Sequence, residues 1–600
     1  MSDGKIICAV DFGTTYSGVA YAYVESDQKA ELIEDHWPGM GAQTSPKVPS
    51  VFKFDKTAPG GFKWGFQLDD DPDRICYAKL YLDPNQIAAA QTLATFSTRL
   101  GKLPPNRKVT DGISKYLECL RAVAIDQMES EWGKGIPTGF LLAMAYMLTP
   151  VEFVSTTPME SIITVPAVWS DKAKSDTLQC AHRAGFGDLD RIRMITEPEA
   201  AAVYTFHQLP SFSVKPGDIF ITCDAGGGTV DLTTYRVFET EPLLRVDEVT
   251  VGSGGLCGSV YLNRKFETLV RDKIGTLLDS LSKSESMNAL HEMQQVFNDD
   301  IKLNFGLGDI SDAIYEVPVP DTVEDDEEFS IEDGKLTFTG EEMRRVFDPV
   351  IGMIIELING QLDRVEESLG DAQVSALLLV GGFGGSEYLR TQIENHFSGD
   401  DADIPALAVI QPVNAWSAVT RGAMLRAIQG DIVQTRIIRH HYGVSMKEHW
   451  DPAKHEAPDK RRTAESNKTW SAVEQKYFCS NVMQWYVHKG DKFSSKKVVT
   501  FNFYQAITNF SNMIFEIGLI IFTGSGEPSY FRTSECKTVA TLKADLSSVA
   551  HSEFERVNSG NGDWYKVWYD IEMSFEATLS FSLSFKGKRM GECAVDYGQL

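Results

Sequence analysis

The strongest constraint in this 600-residue chain is a pattern that occurs twice: an apolar strand ending in aspartate, a turn of glycine and threonine, then a second strand. The first copy is KIICAVDFGTTYSGVAYAYV, with Asp11 entering the turn, and the second is DIFITCDAGGGTVDLTTYRV, with Asp224 in the matching place. Apolar, β-branched runs on either side of small turn residues are the signature of a hairpin. Two similar hairpins predict two similar lobes. A single hydrophobic core stops growing near ~250–300 residues, so a chain of this length must divide in any case.

Between the hairpins, SIITVPAVWSDKAKSDTLQCAHRAGF reads as a buried strand, an N-cap at Ser170, and a helix closed by Gly185. IRMITEPEAAAVYTFH follows as a strand running into an Ala-rich helix, and VSALLLVGGFGGSEYLRTQIENHF is a strand, a glycine turn and an amphipathic helix. That last order places a ligand at the carboxyl end of the strand. Phe140 to Leu148 reads as a short buried helix and falls well below the ~20 residues a membrane span requires.

The turns have a chemical reading. Phosphate groups bind best where backbone N–H groups can approach closely, and glycine permits the approach. Gly13 with Thr14 and Thr15, and Gly226, Gly227 and Gly228 with Thr229, supply such a cradle on two turns. Mg²⁺ takes only one or two protein carboxylates and keeps several waters, which suits Asp11 and Asp224 at the ends of the two strands. Two such turns in order, joined by the Glu197 strand–helix and the Gly381 turn, point to a nucleotide triphosphate rather than to two structural hairpins.

Taken together, VDFGTTYSGVA (Val10 to Ala20), EPEAAA (Glu197 to Ala202), DAGGGTVD (Asp224 to Asp231), VGSGG (Val251 to Gly255) and LLVGGFGGS (Leu378 to Ser386) resemble, in order, the motifs of the heat shock 70 chaperones. The resemblance spans roughly residues 5 to 428. It implies an α/β fold of two actin-like (ribonuclease H-like) ATPase lobes holding ATP or ADP with Mg²⁺ between them. Carried over by position, Asp11, Glu197, Asp224, Thr229 and Asp231 form the catalytic group, with Asp11 and Asp224 serving Mg²⁺ through water. Lys79 in CYAKLYLD is the counterpart of the family's lysine near the γ-phosphate. Tyr16, Gly254, Gly255, Gly381, Gly382, Phe383 and Ser386 join the cradle, while Asp299 and Lys302 face the base. The family's arginine beside that lysine is Leu303 here, and the acidic residue of its second connecting segment is Asn414, next to Trp416.

The implied organisation is a first lobe over 1–212 with an insertion at about 44–112, a second over 213–405 with an insertion at about 252–342, and a return to the first lobe with the hinge at 406–430. Residues 431–600 hold a linker and a reduced β-rich unit, since VVTFNFY, FEIGLIIF and TLSFSLSFKG are strand-like and no long helical pattern follows them. Within it, Asp451 to Thr469 reads as a flexible polar insertion. His440, His441, His449 and His455 show no ligand spacing and read as loop histidines, and EDDEEF at Glu324 reads as a solvated loop.

A net charge of −27 excludes a phosphate-backbone partner, so nucleic acid is not expected. Nine scattered cysteines without a CxxC pair, and a first segment with no basic-then-apolar leader, suggest a reducing cytosolic or nuclear setting with no membrane attachment. The expected function is an ATP-hydrolysing, chaperone-like protein whose lobe closure is coupled to the β unit, with polypeptide clients or co-chaperones as partners. A nucleotide-sensing interaction protein without turnover is the alternative, and a small-molecule kinase is a third reading that the β-rich tail disfavours.

Overall fold

The protein is described from a computed structural model. It covers residues 4–596 except 88–102, 133–153, 210–213, 400–405 and 457–460, with shorter breaks at 26–27, 69–70, 72, 85, 155, 190, 242, 495–496, 525, 533, 560–561 and 576–578. The segment Phe140 to Leu148 lies outside the described residues. The fold is mixed α/β with several sheets, and the chain separates into two compact units, 1–433 and 434–600.

The first unit contains two principal sheets with the same strand plan. In one, β1 (Lys5–Asp11), β2 (Tyr16–Glu25), β3 (Gln28–Ile33), β4 (Met159–Val165) and β5 (Ile192–Thr196) lie in the order β3-β2-β1-β4-β5. In the other, β6 (Ile219–Ala225), β7 (Val230–Glu239), β8 (Arg245–Glu248), β9 (Ala376–Val380) and β10 (Val409–Ile410) lie in the order β8-β7-β6-β9-β10. Each sheet has an antiparallel meander on one side of its first strand and two parallel additions on the other. The central strands are buried on both faces, which is why β1, β6 and β9 are nearly unbroken apolar runs rather than alternating ones.

The helices that pack on these sheets start where the sequence signals a cap. Ser170 accepts from the Ala173 N–H at the start of α1 (Asp171–Arg183), satisfying one of the orphan donors of the first turn. α2 (Glu197–Gln208) begins with Glu197 followed by Pro198, a residue pre-set for the first turn of a helix. It packs against α5 (Ala418–Gln429), and both are rich in small buried residues. The approach is close: a side chain at Gly422 would collide with the Ala200 carbonyl. These two helices share one apolar core with inward-facing residues of both sheets, including Ala9, Ala20, Phe220 and Val380. α3 (Val260–Ser280) and α4 (Glu387–His396) flank the second sheet. The acidic segment beginning at Glu324 is a largely exposed turn between Ile314–Pro318 and Lys335–Thr339.

The second unit is built from two antiparallel sheets. One runs in the order Lys468–Ser471, Lys476–Val487, His441–His449, Ile514–Phe522, Lys537–Asp545, Ala594–Asp596. The other contains Val498–Ile507, Gly562–Phe575, Leu579–Phe585 and Lys588–Glu592, with Glu555–Ser559 pairing beside Gly562–Phe575. Side chains of both meet in one core, where the Phe515 and Tyr569 rings stack at 5.5 Å.

Here the expectation of a flexible insertion at Asp451 to Thr469 is corrected. The segment forms Pro452–His455, Arg461–Ser466 and then the strand Lys468–Ser471. His455 is buried at 1% exposure, 2.7 Å from Glu448 Oε1, accepts from the Asp451 N–H, and stacks on Trp450. Most of the other described polar residues of this segment are exposed, on short helices and a strand rather than on a loop. His441 and His449 likewise lie on a strand, not in a loop.

Candidate functional site

The two glycine turns face each other and touch. A Cβ at Gly227 would collide with Thr15 Oγ1, and one at Gly228 would come within 2.9 Å of the Thr14 side chain. Only glycine allows this packing, so the residue choice is steric as well as conformational. The first turn is braced from outside by the Ser50 N–H, which donates to the Thr15 carbonyl at 2.7 Å, and by a 2.8 Å hydroxyl contact between Ser17 and Ser50. The second is braced by the start of α3: the Ser259 and Val260 N–H groups donate to the Gly226 and Gly227 carbonyls at 3.1 and 2.9 Å. Behind it, the Gly381–Ser386 turn wraps the end of β6, with Phe383 and Gly384 N–H groups both donating to the Ala225 carbonyl. Ser386 then caps α4.

Below the turns lies a cluster of buried charge. Asp11 closes β1, Asp224 lies near the end of β6, and Asp231, Asp224's direct neighbour in the ladder, is on β7. Glu197 opens α2. All four carboxylates are buried, as are Lys47 and Lys79. Lys47 Nζ binds Asp11 Oδ2 at 2.7 Å, while Thr164 and Thr420 hydroxyls donate to the same carboxylate at 2.9 and 3.5 Å. Lys79 pairs with Glu197 and lies 6.0 Å from the Phe12 ring centroid and 5.3 Å from that of Trp169.

The four acids are not equivalent. Burial pushes the Asp11 carboxyl up, but the charges of Lys47 and Lys79 and the bonds from Lys47 and Thr164 outweigh it and hold the group below its ordinary range. Asp224 is pushed well above the usual value by burial and then by the charges of Glu197, Asp231 and Asp11. Glu197 rises to about 7, chiefly through burial, with Lys79 opposing and Asp11 and Asp231 reinforcing. Four acids beside two lysines are too many to ionise together when buried, so Asp224 and Glu197 are held toward their neutral forms, and a divalent cation is a group that would favour their ionisation.

Beside the turns is a cavity of about 870 Å³. Thr14, Thr15, Tyr16, Gly227, Asp299, Lys302, Gly382, Phe383 and Ser386 line it, together with Leu303 and Trp416. Asp299 lies in the segment Phe297–Ile301, and Lys302 directly follows it. Lys302 Nζ donates to Asn263 Oδ1 at 2.9 Å, and burial drives the ammonium down to about 7 despite Asp299. The Asp299 carboxyl is in turn raised, mainly by burial, with Arg74 and Lys302 opposing. Leu303 is 64% exposed. Trp416 meets Tyr16 edge-on at 5.4 Å and lies over Gly382. Asn414 adopts a left-handed backbone (φ 63°), a conformation asparagine tolerates better than most side chains.

The anticipated residues therefore fall into two groups. The cavity lining gathers the nine named above, whereas Asp11, Lys79, Glu197, Asp224, Thr229 and Asp231, with Gly13, Gly226, Gly228 and Gly381, sit at or under the turns rather than on the cavity wall. Gly254 and Gly255 lie on the strand Ser253–Gly255, paired with Asp231 and Val230. Sequence reasoning missed Lys47 and Thr164, which with Lys79 hold the Asp11 carboxyl low, and Thr420, whose hydroxyl donates to the same carboxylate. Asn263 and Arg74 were missed beside Lys302 and Asp299.

A family profile described as Domain of unknown function (DUF8340) matches residues 215–404. Across the chain, human Heat shock 70 kDa protein 12A is 23% identical, covering 79% of this chain and 77% of the relative. Human Heat shock 70 kDa protein 12B is 24% identical, over 78% and 74% respectively. Bovine Heat shock 70 kDa protein 13 is 22% identical, over 70% of this chain and 89% of the relative. These relationships extend over most of the sequence and agree with the ordered motifs around the paired turns: along most of its length the chain is similar to heat shock 70 kDa proteins.

Proposed function

We propose that this protein binds Mg-ATP in the cleft bordered by the two glycine turns and hydrolyses it to ADP and phosphate. The observation that carries the reading is the packing of the turns against each other directly over four buried carboxylates, with a nucleotide-sized cavity alongside. The shared strand plan of the two sheets supports a pair of duplicated, actin-like lobes.

In this reading the backbone N–H groups around Gly13 and Gly226–Gly228, with the Thr14, Thr15 and Thr229 hydroxyls, hold the phosphates. Lys302 and Asp299 lie toward the nucleoside end. Asp11 and Asp224 would hold Mg²⁺ through water, and the ion, when bound, neutralises phosphate charge. Lys79 places a positive charge beside Glu197, whose carboxyl near pH 7 can accept a proton from the attacking water. Positioning and charge stabilisation supply the remaining rate enhancement. Closure of the lobes would be passed to the β-rich unit, which would contact polypeptide clients or co-chaperones in the cytosol or nucleus.

A second reading is nucleotide sensing without turnover, favoured by Leu303, an exposed aliphatic side chain on the cavity wall. The two are separated by measuring Mg-dependent ATP binding and turnover on the same sample. Hydrolysis is expected to fall about 100-fold or more in Glu197→Ala while binding persists. Binding with no turnover in the wild type selects the sensor, and absence of binding rejects both.

A further inference from the structure

Within the second unit, three neighbouring strands each bring one metal-binding side chain to the same end of their sheet. His441 begins the central strand His441–His449. His488 follows the end of Lys476–Val487, which pairs on one side, and Glu527 lies beyond the end of Ile514–Phe522, which pairs on the other. Their donor atoms lie within 4.8 Å of one another. His441 Nδ1 is 2.9 Å from Glu527 Oε1, and His488 Nδ1 meets the same oxygen.

The positions are held independently of each other. The His488 turn is fixed by its own N–H donating to Asp491 Oδ2 at 3.0 Å and by the Gly490 N–H donating to the Ile438 carbonyl at 2.8 Å. The chain after Glu527 is tied back by Trp485 Nε1 to the Pro528 carbonyl at 3.1 Å and by the Met483 N–H to the Ser529 carbonyl at 3.0 Å. Trp485 and Phe522 rings flank His441 and partly shield it from water.

The Lys489 N–H also lies 3.4 Å from His441 Nδ1, a weak contact that a metal on this nitrogen would replace. His441 Nδ1, His488 Nδ1 and a Glu527 carboxylate oxygen thus converge on one point from three strand ends. Two imidazole nitrogens and one carboxylate oxygen are the donor set of a zinc site with an open fourth position. Bonds of about 2.0–2.1 Å in a tetrahedron separate ligand atoms by about 3.3 Å, so a small outward shift of these side chains would admit the ion.

We infer that His441, His488 and Glu527 form a Zn²⁺ site that clamps three adjacent strand ends of the second unit. The site is separate in sequence and in chemistry from the nucleotide cleft, which uses oxygen donors suited to Mg²⁺.

The test uses the full chain, stripped with a chelator and titrated with Zn²⁺ alone by calorimetry, alongside thermal denaturation. One zinc per chain is expected through this cluster, with a higher melting temperature on binding. His488→Asn and Glu527→Gln, both at solvent-facing positions, should each weaken this uptake at least tenfold and abolish the thermal shift. Circular dichroism of both variants checks that the sheet is intact. Zinc uptake and thermal shift unchanged in the two folded variants, or no zinc uptake by the wild type, would overturn the assignment.

Discussion

Asp11 and Asp224 occupy equivalent places at the ends of equivalent strands, are buried to nearly the same degree (3% and 6% exposed), and nonetheless sit in opposite electrostatic states. Asp11 has a lysine within bonding distance and two hydroxyl donors, and its carboxyl is held low. Asp224 is surrounded by other carboxylates and is held high. Repeating a motif repeats the backbone; the charge state comes from what distant segments bring to it. The contrast assigns the two aspartates unequal parts: Asp11 is already neutralised by protein, and Asp224 is the one that an incoming cation would relieve.

The largest effect is expected on removing the protein's half of this asymmetry. Lys47→Ala leaves Asp11 buried without its nearest charge and should cost about 3–5 kcal/mol, measured by chemical denaturation at neutral pH. Retention of wild-type stability would mean that Asp11 does not depend on Lys47. Next, Gly227→Val forces a branched side chain against Thr15 and should destabilise by about 1–3 kcal/mol. It should also abolish nucleotide binding; normal affinity in this variant would show that the contact between turns is incidental.

A smaller and more diagnostic change is Asp224→Asn. The folded-state value is raised, so the stability contributed by this group is complete below its unfolded value near 4 and is lost as pH rises toward the folded value. Without Mg²⁺, the wild type should therefore lose stability on going from pH 4 toward neutrality by more than the variant does, and Asp224→Asn should be about 1 kcal/mol more stable at pH 7. Parallel pH profiles would remove the distinction between the two aspartates.

The smallest effect concerns the cavity. Lys302 has a depressed folded value, so its contribution is present above pH 10.5 and is lost as pH falls to about 7. Lys302→Met should flatten that dependence in the nucleotide-free protein and raise its melting temperature slightly at pH 7. An unchanged profile would show that Lys302 is solvated.

Much of the local structure was legible in the sequence because it depends on neighbours along the chain. The hairpins at Asp11 and Asp224, the Ser170 cap and the strand–glycine–helix at Gly381 follow from periodicity and turn chemistry within a dozen residues. What stayed hidden depends on partners far away. Lys47 is 36 residues from Asp11, Thr164 is 153 away and Thr420 is 409 away, and none carries a local pattern of its own. The His441 cluster escaped for the same reason, since His488 and Glu527 reach it only through strand pairing. His455 was misread because a polar stretch rich in lysine and arginine resembles a loop even when one histidine in it is buried.

The central claim, that the paired turns form a magnesium-nucleotide site, is tested most directly by calorimetric titration of the full chain with ATP in the presence and absence of Mg²⁺. The expected result is one nucleotide per chain, bound more tightly with Mg²⁺, with that magnesium dependence lost in Asp224→Asn. Absence of ATP binding under both conditions, or identical binding with and without the ion in wild type and variant, would contradict it.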